Sequence, residues 1–330
     1  MESFPSGREI EDSCRGRGLG ASTSTQALAL SEGGQEGGPL EEILTGGNST
    51  TVVRSGDTVR RSAGSWTPTV QALLAHLRAS GVVEVPEPLG VDDQGREVLS
   101  YLPGDVANYP LPDWLWGESV LRDAGALLRR VHDASIGFLA AAATATAMVT
   151  AGGAVSDGTA SGGTVVGGAA AVPVPAAAPT WQLPQREPVE VVCHNDVAPY
   201  NLVFRDGTLV GLIDFDTASP GPRIRDLAYL GYRLAPFVAD AVGEDGGDVV
   251  GRLDPLVRLD ALVAAYGLPF SRREVLSVMV ERLEEIADFT DGRAEETGRS
   301  DFLDHAAMYR ADARRVAALR DDSPAPAPTT

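Results

Sequence analysis

The sequence predicts an α+β protein with two lobes, the first small and rich in strands and the second larger and mainly helical. Short strand-like segments separated by turn signals occupy residues 41–64, whereas most amphipathic helical segments follow residue 115. A hairpin that carries several polar side chains, residues 193–216, lies between helical segments. Because strands and helices occupy separate parts of the chain, an alternating βαβ sheet is not expected.

The first lobe is predicted over residues 39–103. Residues 1–38 are rich in Gly, Ser and Glu without apolar periodicity, which is typical of a disordered tail. The turn signals TGGN and SGD then separate short strands, and a helix is expected to begin at Thr67 and end at Gly81. A second hairpin, EPLGVDDQGREVLSYLPG, completes this lobe.

The second lobe is predicted over residues 104–138 and 179–321, followed by a tail at 322–330. Its first helix, SVLRDAGALLRRVHDAS, has apolar residues at helical spacing, and four further amphipathic segments follow the polar hairpin. Residues 139–178 are almost without charge and consist largely of Ala and Gly. We interpret them as a flexible surface insertion, because they lack side chains that could form a core.

Composition and charge narrow the class of protein. A formal net charge of −19 argues against nucleic-acid binding and is compatible with a cationic substrate, although a solvated acidic surface is the favoured explanation of the charge alone. No apolar run is long enough for a membrane helix, the N-terminus has no secretory pattern, and the two cysteines do not form a disulfide framework. A cytoplasmic protein is therefore expected, whereas the oligomeric state is not indicated.

The chain has no lysine, so all 27 basic residues are arginines. Any function that a lysine usually performs must therefore be carried out by an arginine or be absent.

The polar hairpin, CHNDVAPYNLVFRDGTLVGLIDFD, predicts a cation site. Asp206 and Gly207 form a strong turn signal, and a regular hairpin closed by them makes Asn201 and Asp214 diagonal neighbours about 7 to 8 Å apart. Two oxygen-bearing side chains at this separation suit Mg²⁺, which binds few protein ligands together with phosphate and water. Asp216 shares this face if the strand stays extended.

The order of these residues is that of a phosphoryl-transfer site. In such sites an Asp two residues after a His serves as catalytic base, an Asn five residues later binds metal, and a later Asp binds Mg²⁺. His194, Asp196, Asn201 and Asp214 have this spacing.

HNDVAPYN followed by LIDFD resembles the aminoglycoside phosphotransferase/choline kinase family, whose members have the two-lobed protein-kinase-like fold. The resemblance covers roughly residues 40–320 apart from the Ala/Gly insertion. It implies that Asp196 is the catalytic base and that Asn201 and Asp214 bind Mg²⁺. It also implies that His194 shapes the loop and Asp226 braces it, whereas Asp216 either supports the site or contacts the metal.

The resemblance also implies a nucleotide site in the first lobe. Backbone groups of Ser100 and Leu102 would hold the adenine edge, and in TVRRSAG Arg60 is expected to replace the usual phosphate-binding lysine, with Arg61 as the alternative. The segment LTGGNSTTVV could contact phosphate, although an ordinary tight turn would have the same composition. The residues concerned in that segment are Gly46, Gly47, Asn48, Ser49 and Thr50.

One helix departs from the family pattern. The segment TPTVQALLAHL has no Glu or Asp where the family pairs an acid with the cation of the strand. Either Arg60 is oriented differently, or the protein holds phosphate more weakly. Acids in ERLEEIADFTD could bind a cationic acceptor, or they could form only a solvated helix face. These acids are Glu281, Glu284, Glu285, Asp288 and Asp291.

The predicted function is transfer of the γ-phosphate of ATP or GTP to a hydroxyl of a small molecule, with Mg²⁺. An aminoglycoside, another amino-alcohol or a sugar fits equally, because the motif specifies the reaction and not the acceptor. The alternative is a nucleotide-binding pseudoenzyme of the same fold. A purely structural hairpin is disfavoured, because buried carboxylates without a cation are costly.

Overall fold

In the computed structural model, the residues described are 41–44, 51–108, 110–151, 178–238 and 249–322. The predicted polar tail, most of the LTGGNSTTVV loop and the last eight residues lie outside these ranges. Across the described ranges the chain forms ten strands and six α-helices. The predicted α+β fold with a sheet-rich first lobe and a helical second lobe is confirmed.

The first lobe is a five-stranded antiparallel sheet covered by one helix. Its spatial strand order is β1-β2-β3-β5-β4, and the helix α1 follows β3. The elements are β1 (Glu41–Leu44), β2 (Val52–Ser55), β3 (Thr58–Ser62), α1 (Thr67–Ala79), β4 (Pro88–Val91) and β5 (Arg96–Ser100). Pro68 lies in the first turn of α1, where the missing N–H has no helical partner to lose. Val70, Leu73, Leu74 and Leu77 bury one face of α1.

The second lobe places two small sheets against its helices. The strands β6, β8 and β9 form one sheet in the order β6-β8-β9, and β7 pairs with β10. The strands are β6 (Asp105–Val106), β7 (Val191–Cys193), β8 (Leu202–Arg205), β9 (Thr208–Leu212) and β10 (Ser219–Gly221). The helices are α2 (Glu118–Ala151), α3 (Arg223–Leu234), α4 (Pro255–Tyr266), α5 (Arg272–Thr297) and α6 (Asp301–Asp321).

The helical core follows from the apolar periodicity of the sequence. On α2, one stripe is almost completely buried and consists of Leu121, Ala124, Leu127, Leu128 and Val131. It packs with stripes of α3, α4 and α5, which include Leu227, Leu230, Leu259, Leu262, Leu276 and Leu283. Within the described part of the chain, no helix is both long enough and apolar enough to span a membrane.

The predicted start of the Ala/Gly insertion at residue 139 is wrong. The helix α2 continues through Ala151, because alanine has the highest helix propensity and residues 139–151 contain neither Gly nor Pro. Phe138 is fully buried and Ala142 is 7% exposed, so the helix also packs beyond the predicted boundary. The rest of the predicted insertion, residues 152–177, lies outside the described residues.

The two lobes are joined through residues 101–106 and a second contact near β9. The backbone N–H of Leu212 in the second lobe donates to the carbonyl of Glu84 in the first, at 2.9 Å. The carboxylate of Glu84 also accepts two hydrogen bonds from Arg130 on α2, at 2.7 and 3.1 Å. Gly104, with φ of 153°, lets the connecting segment pass close to β8.

Replacing Gly104 with Ala is expected to destabilise the fold by about 2 kcal/mol. A Cβ at this position would lie 2.4 Å from the backbone oxygen of Phe204 and 2.7 Å from Cγ1 of Val203. Chemical denaturation would measure the loss. Gly251→Ala is the matched control, because a Cβ there has no neighbour within 4 Å. Equal stability of the two variants would contradict the close approach described for Gly104.

Candidate active site

The predicted catalytic loop, residues 194–201, connects β7 to β8. Its backbone turns sharply at Asn195, which has φ of 66°, and ends in a short 3₁₀ turn over Pro199–Asn201. His194 and Asn195 are almost completely buried, as is Asn201. The loop is therefore built into the protein rather than lying on its surface.

Asp226, at the start of α3, holds this loop through its backbone. Its carboxylate accepts hydrogen bonds from the backbone N–H of His194 at 2.6 Å and from that of Asn195 at 2.8 Å. Nε2 of His132 lies 3.0 Å from the same carboxylate, and Nδ1 of His132 lies 2.7 Å from the hydroxyl of Tyr266. Burial alone would raise the pKa of Asp226, but the hydrogen bonds and nearby histidines lower it.

His132, Cys193 and Asp226 come close enough together to suggest a metal site. The hydrogen bonds to Asp226 already account for its oxygens, and burial raises the pKa of the Cys193 thiol, which donates to the carbonyl of Pro222. A neutral thiol is a poor metal ligand. We interpret the cluster as a hydrogen-bonded support of the loop.

His194 lies behind the loop. Its Nε2 lies 2.9 Å from the carbonyl oxygen of Ile213, and its ring packs edge-on against Phe215 at a centroid distance of 4.6 Å. The side chain thus joins the catalytic loop to the segment that carries Asp214. The shaping role of His194 stays a prediction.

The carboxylate of Asp196 is held by two donors. The hydroxyl of Tyr200 donates to Oδ1 at 2.7 Å, and the side-chain amide of Asn201 donates to Oδ2 at 3.0 Å. Burial raises the pKa of Tyr200 well above its usual range, so its hydroxyl stays protonated as a donor. Tyr200 was not among the predicted site residues, and its place four residues after Asp196 was the available signal.

The predicted hairpin forms, but its register and its end differ from the prediction. A regular hairpin closed by Asp206 and Gly207 would pair Phe204 with Leu209 and Leu202 with Gly211. Phe204 does pair with Leu209, whereas an irregularity between Val203 and Phe204 pairs Leu202 with Leu212. The strand β9 ends at Leu212 and Asp214 has φ of 64°, so the strand does not extend to Asp216. Asn201 still lies beside the segment that carries Asp214, because the backbone N–H of Ile213 donates to the backbone carbonyl of Asn201 at 2.9 Å.

Arg61 on β3 joins both lobes at this site. Its Nε donates to Glu97 Oε2 at 2.7 Å, its Nη1 to Asp214 Oδ1 at 2.7 Å and its Nη2 to Asp216 Oδ1 at 2.5 Å. Burial alone would disfavour the charge of this guanidinium, but the three carboxylates raise the pKa of Arg61 above its usual range. Burial also raises the pKa of Asp216 to about 6, against the opposing effect of Arg61.

The expectation that Arg60 faces the cleft is corrected to Arg61. Successive side chains of a strand point to opposite faces, so an error of one residue exchanges the two arginines. Arg60 instead donates to the hydroxyl of Thr58 at 2.9 Å and lies 3.6 Å from Asp92. Of the two arginines, Arg61 is the one that forms ion pairs with Asp214 and Asp216.

Two side chains near Arg61 were missed by sequence reasoning. Glu97 on β5 is 1% exposed and pairs with Arg61 across the sheet. Gln71, on the helix that lacks an acid, donates from Nε2 to Glu97 Oε1 at 3.4 Å and to the carbonyl of Gly90 at 2.8 Å. Their separation in sequence from the hairpin left no local signal.

The donor set fits Mg²⁺. The side-chain nitrogen of Asn201 is engaged with the backbone and the carboxylate of Asp196, which leaves its side-chain oxygen for a cation. Asp214 is 48% exposed and already accepts from a cationic group, Arg61, on its cleft side. Hard oxygen ligands of this kind are the ones that Mg²⁺ prefers.

The predicted nucleotide contacts are described only in part. Gly46, Gly47, Asn48, Ser49 and Thr50 lie outside the described residues. The backbone N–H of Ser100 donates to the carbonyl of Glu87 at 2.9 Å and is therefore engaged within the first lobe. Leu102 lies against Gly211 of β9, at the junction of the two lobes.

Aromatic and arginine side chains surround Asp196 on the side of the helical lobe. The hydroxyl of Tyr229 lies 3.3 Å from that of Tyr200. Arg282 on α5 lies 5.5 Å from the ring of Tyr229 and donates to the backbone oxygen of Asn195 at 2.6 Å. An acceptor that approaches Asp196 from this side would meet phenol groups and a guanidinium.

Most of the predicted acids of α5 are paired with arginines. Glu285 pairs with Arg225 and Arg186, while Asp288 and Asp291 both contact Arg310. These pairs reduce the negative charge that α5 offers to a cationic acceptor. Glu281 and Glu284 are exposed. Glu281 and Glu285 line a cavity of about 680 Å³ between α5 and the segment 186–190.

The fold is of the two-lobed protein-kinase-like type. Residues 43–256 match the model of the phosphotransferase enzyme family, and the chain belongs to this family. The predicted resemblance to aminoglycoside phosphotransferases and choline kinases is thereby confirmed.

Similar proteins include one relative with substantial sequence identity. The chain is 33% identical over 241 residues to the trifolitoxin immunity protein of Rhizobium leguminosarum bv. trifolii, covering 71% of this chain and 76% of that protein.

Solved structures similar to this chain include two of lower sequence identity. A choline/ethanolamine kinase family protein from Mesorhizobium loti is 18% identical, with a TM-score of 0.50 and coverage of 84% of this chain and 87% of that chain. A macrolide 2'-phosphotransferase from Brachybacterium faecium is 15% identical, with a TM-score of 0.46 and coverage of 82% of this chain and 91% of that chain.

Arg61→Met is expected to lower the free energy of unfolding by about 3 kcal/mol, because it leaves Glu97 buried without its ion partner. Arg60→Met removes a partly exposed contact and is expected to cost less than about 1 kcal/mol. Denaturant unfolding of the two variants, which differ by one position on the same strand, measures both values. A larger loss for Arg60→Met would contradict the strand register.

Proposed function

We propose that this protein is a small-molecule kinase that transfers the γ-phosphate of ATP to a hydroxyl of its acceptor in the presence of Mg²⁺. One chain of contacts carries the proposal. The side-chain amide of Asn201 donates to the carboxylate of Asp196. The backbone carbonyl of Asn201 accepts from the backbone N–H of Ile213, the residue before Asp214. Short hydrogen bonds thus link the proposed base to the two proposed oxygen ligands of the cation.

Asp196 would act as the catalytic base. As the acceptor oxygen attacks the γ-phosphorus, its proton passes to the carboxylate of Asp196 and the bond to the nucleoside diphosphate oxygen breaks. Tyr200 and Asn201 each donate to one oxygen of this carboxylate. They orient the carboxylate, and a hydroxyl that binds there must share or replace one of these hydrogen bonds.

Asn201 and Asp214 would hold Mg²⁺, which when bound neutralises charge on the phosphate oxygens. Arg61 supplies a further positive charge from the first lobe, and its planar guanidinium suits phosphate. Asp216 would support the site through Arg61. The phosphate contacts of residues 46–50 and the adenine contacts of Ser100 and Leu102 stay predictions, as does the use of GTP.

The acceptor is proposed as a small polar molecule with a hydroxyl. An aminoglycoside, an amino-alcohol and a sugar all suit this reaction. The name of the 33% identical relative adds a toxin as a further acceptor class to test. Release of nucleoside diphosphate, measured across acceptors of each class, would identify the substrate. A cytoplasmic location stays a prediction.

A nucleotide-binding pseudoenzyme is the alternative function. The absence of an acid from α1 favours it, whereas the presence of Asp196, Asn201 and Asp214 favours an active enzyme. The two functions differ in whether Asp196 is needed for turnover.

Replacing Asp196 with Asn is expected to leave nucleotide binding intact and to reduce turnover by a factor of roughly 10² to 10⁴, the usual contribution of a general base.

Asp214→Ala is expected to reduce turnover and also to abolish the effect of Mg²⁺ on nucleotide affinity, because it removes an oxygen ligand. Calorimetry with and without Mg²⁺ measures binding even before the acceptor is known.

Asp206→Asn, at the exposed tip of the same hairpin, is the matched control and should behave like the parent. If the parent does not bind ATP at millimolar concentration with Mg²⁺, the kinase function is wrong. If Asp196→Asn retains full turnover, the assignment of the base is wrong. If both variants bind nucleotide identically, the metal assignment is wrong instead.

A further inference from the structure

We propose that Glu97 is a positioning residue that holds Arg61 in the cleft and thereby replaces the acid that α1 lacks. This inference rests on the proposed function, in which Arg61 faces the phosphates. In this proposal the acid that pairs with the cation in the cleft, Arg61, lies on strand β5 and not on helix α1.

The strand register brings the two residues together. Arg61 of β3 and Glu97 of β5 are directly opposite each other in the antiparallel sheet, and the guanidinium Nε lies 2.7 Å from Oε2. Both belong to central strands of the sheet, since β3 and β5 each have a neighbour on either side. Their separation is therefore determined by the backbone of the first lobe.

The burial of the three carboxylates around Arg61 differs. The side chain of Glu97 is 1% exposed, whereas those of Asp214 and Asp216 are 48% and 23% exposed. Glu97 belongs to the same lobe as Arg61, and the two aspartates belong to the other lobe. Glu97 is thus the partner that Arg61 keeps when the aspartates bind another group.

The helix α1 contributes an amide in place of a carboxylate. The side-chain amide of Gln71 donates to Oε1 of Glu97 at 3.4 Å and to the carbonyl of Gly90 at 2.8 Å. The other carboxylate oxygen of Glu97, Oε2, accepts from Arg61. Helix α1 therefore carries a neutral residue, Gln71, that hydrogen-bonds to the acid on β5, Glu97.

This arrangement matters because the proposed function needs Asp214 for Mg²⁺. An Arg61 held only by Asp214 and Asp216 would compete with a metal ion for the same carboxylate. With Glu97 in place, Arg61 can release the aspartates and keep a buried ion pair, which leaves two of its nitrogens directed at the cleft.

The test is the affinity of Glu97→Gln for ATP and for adenosine, measured by calorimetry with Mg²⁺. We expect about a tenfold loss of ATP affinity, typical of losing one charge-assisted hydrogen bond, and no change for adenosine, which has no phosphate. A merely structural role would weaken both ligands alike. Glu42→Gln removes an exposed carboxylate from the same sheet and should leave both affinities unchanged.

A double-mutant cycle separates the effect of Glu97 from other causes. If Glu97 acts through Arg61, then Glu97→Gln should cause no further loss of ATP affinity in an Arg61→Met background. Additive losses, or an equal loss for ATP and adenosine, would overturn the role of Glu97 and leave the kinase function standing. No ATP binding by the parent would overturn the proposed function and this inference together.

Discussion

A guanidinium buried in a sheet needs carboxylates around it, and this requirement organises the cleft. Arg61 is 8% exposed and is surrounded by one carboxylate from its own sheet and two from the opposite lobe. Removing a charge from water is costly unless it is paired and hydrogen-bonded. The position of Asp214 and the closeness of the two lobes at this point therefore depend on Arg61, and the proposed metal site lies where its charge is neutralised.

A second buried charge, Asp226, holds backbone groups in place, whereas Arg61 holds side-chain carboxylates. Its carboxylate accepts from two successive N–H groups of the catalytic loop. These donors could not pair within a strand, because Asn195 has left-handed backbone geometry. The backbone just before Asp196 is thus held by hydrogen bonds within the protein itself.

The sequence was sufficient to predict the elements whose signals are local. The two-lobed fold, the hairpin turn at Asp206–Gly207 and the spacing of Asp196 and Asn201 all depend on neighbouring residues. The choice between Arg60 and Arg61 required the register of β3, which depends on pairing with β5, 36 residues away. The irregularity after Val203 and the contact of Glu97 with Arg61 are likewise tertiary features, and no local pattern encodes them.

The use of arginine at the centre of the cleft has a chemical consequence. A lysine amine in this place could lose its proton in alkaline solution and react with acylating reagents, whereas a guanidinium does neither under ordinary conditions. The positive charge of Arg61 therefore persists across the whole alkaline range in which the protein stays folded. Amine-directed labelling reagents, including nucleotide analogues that acylate a cleft lysine, have no side-chain target here, because the chain contains no lysine.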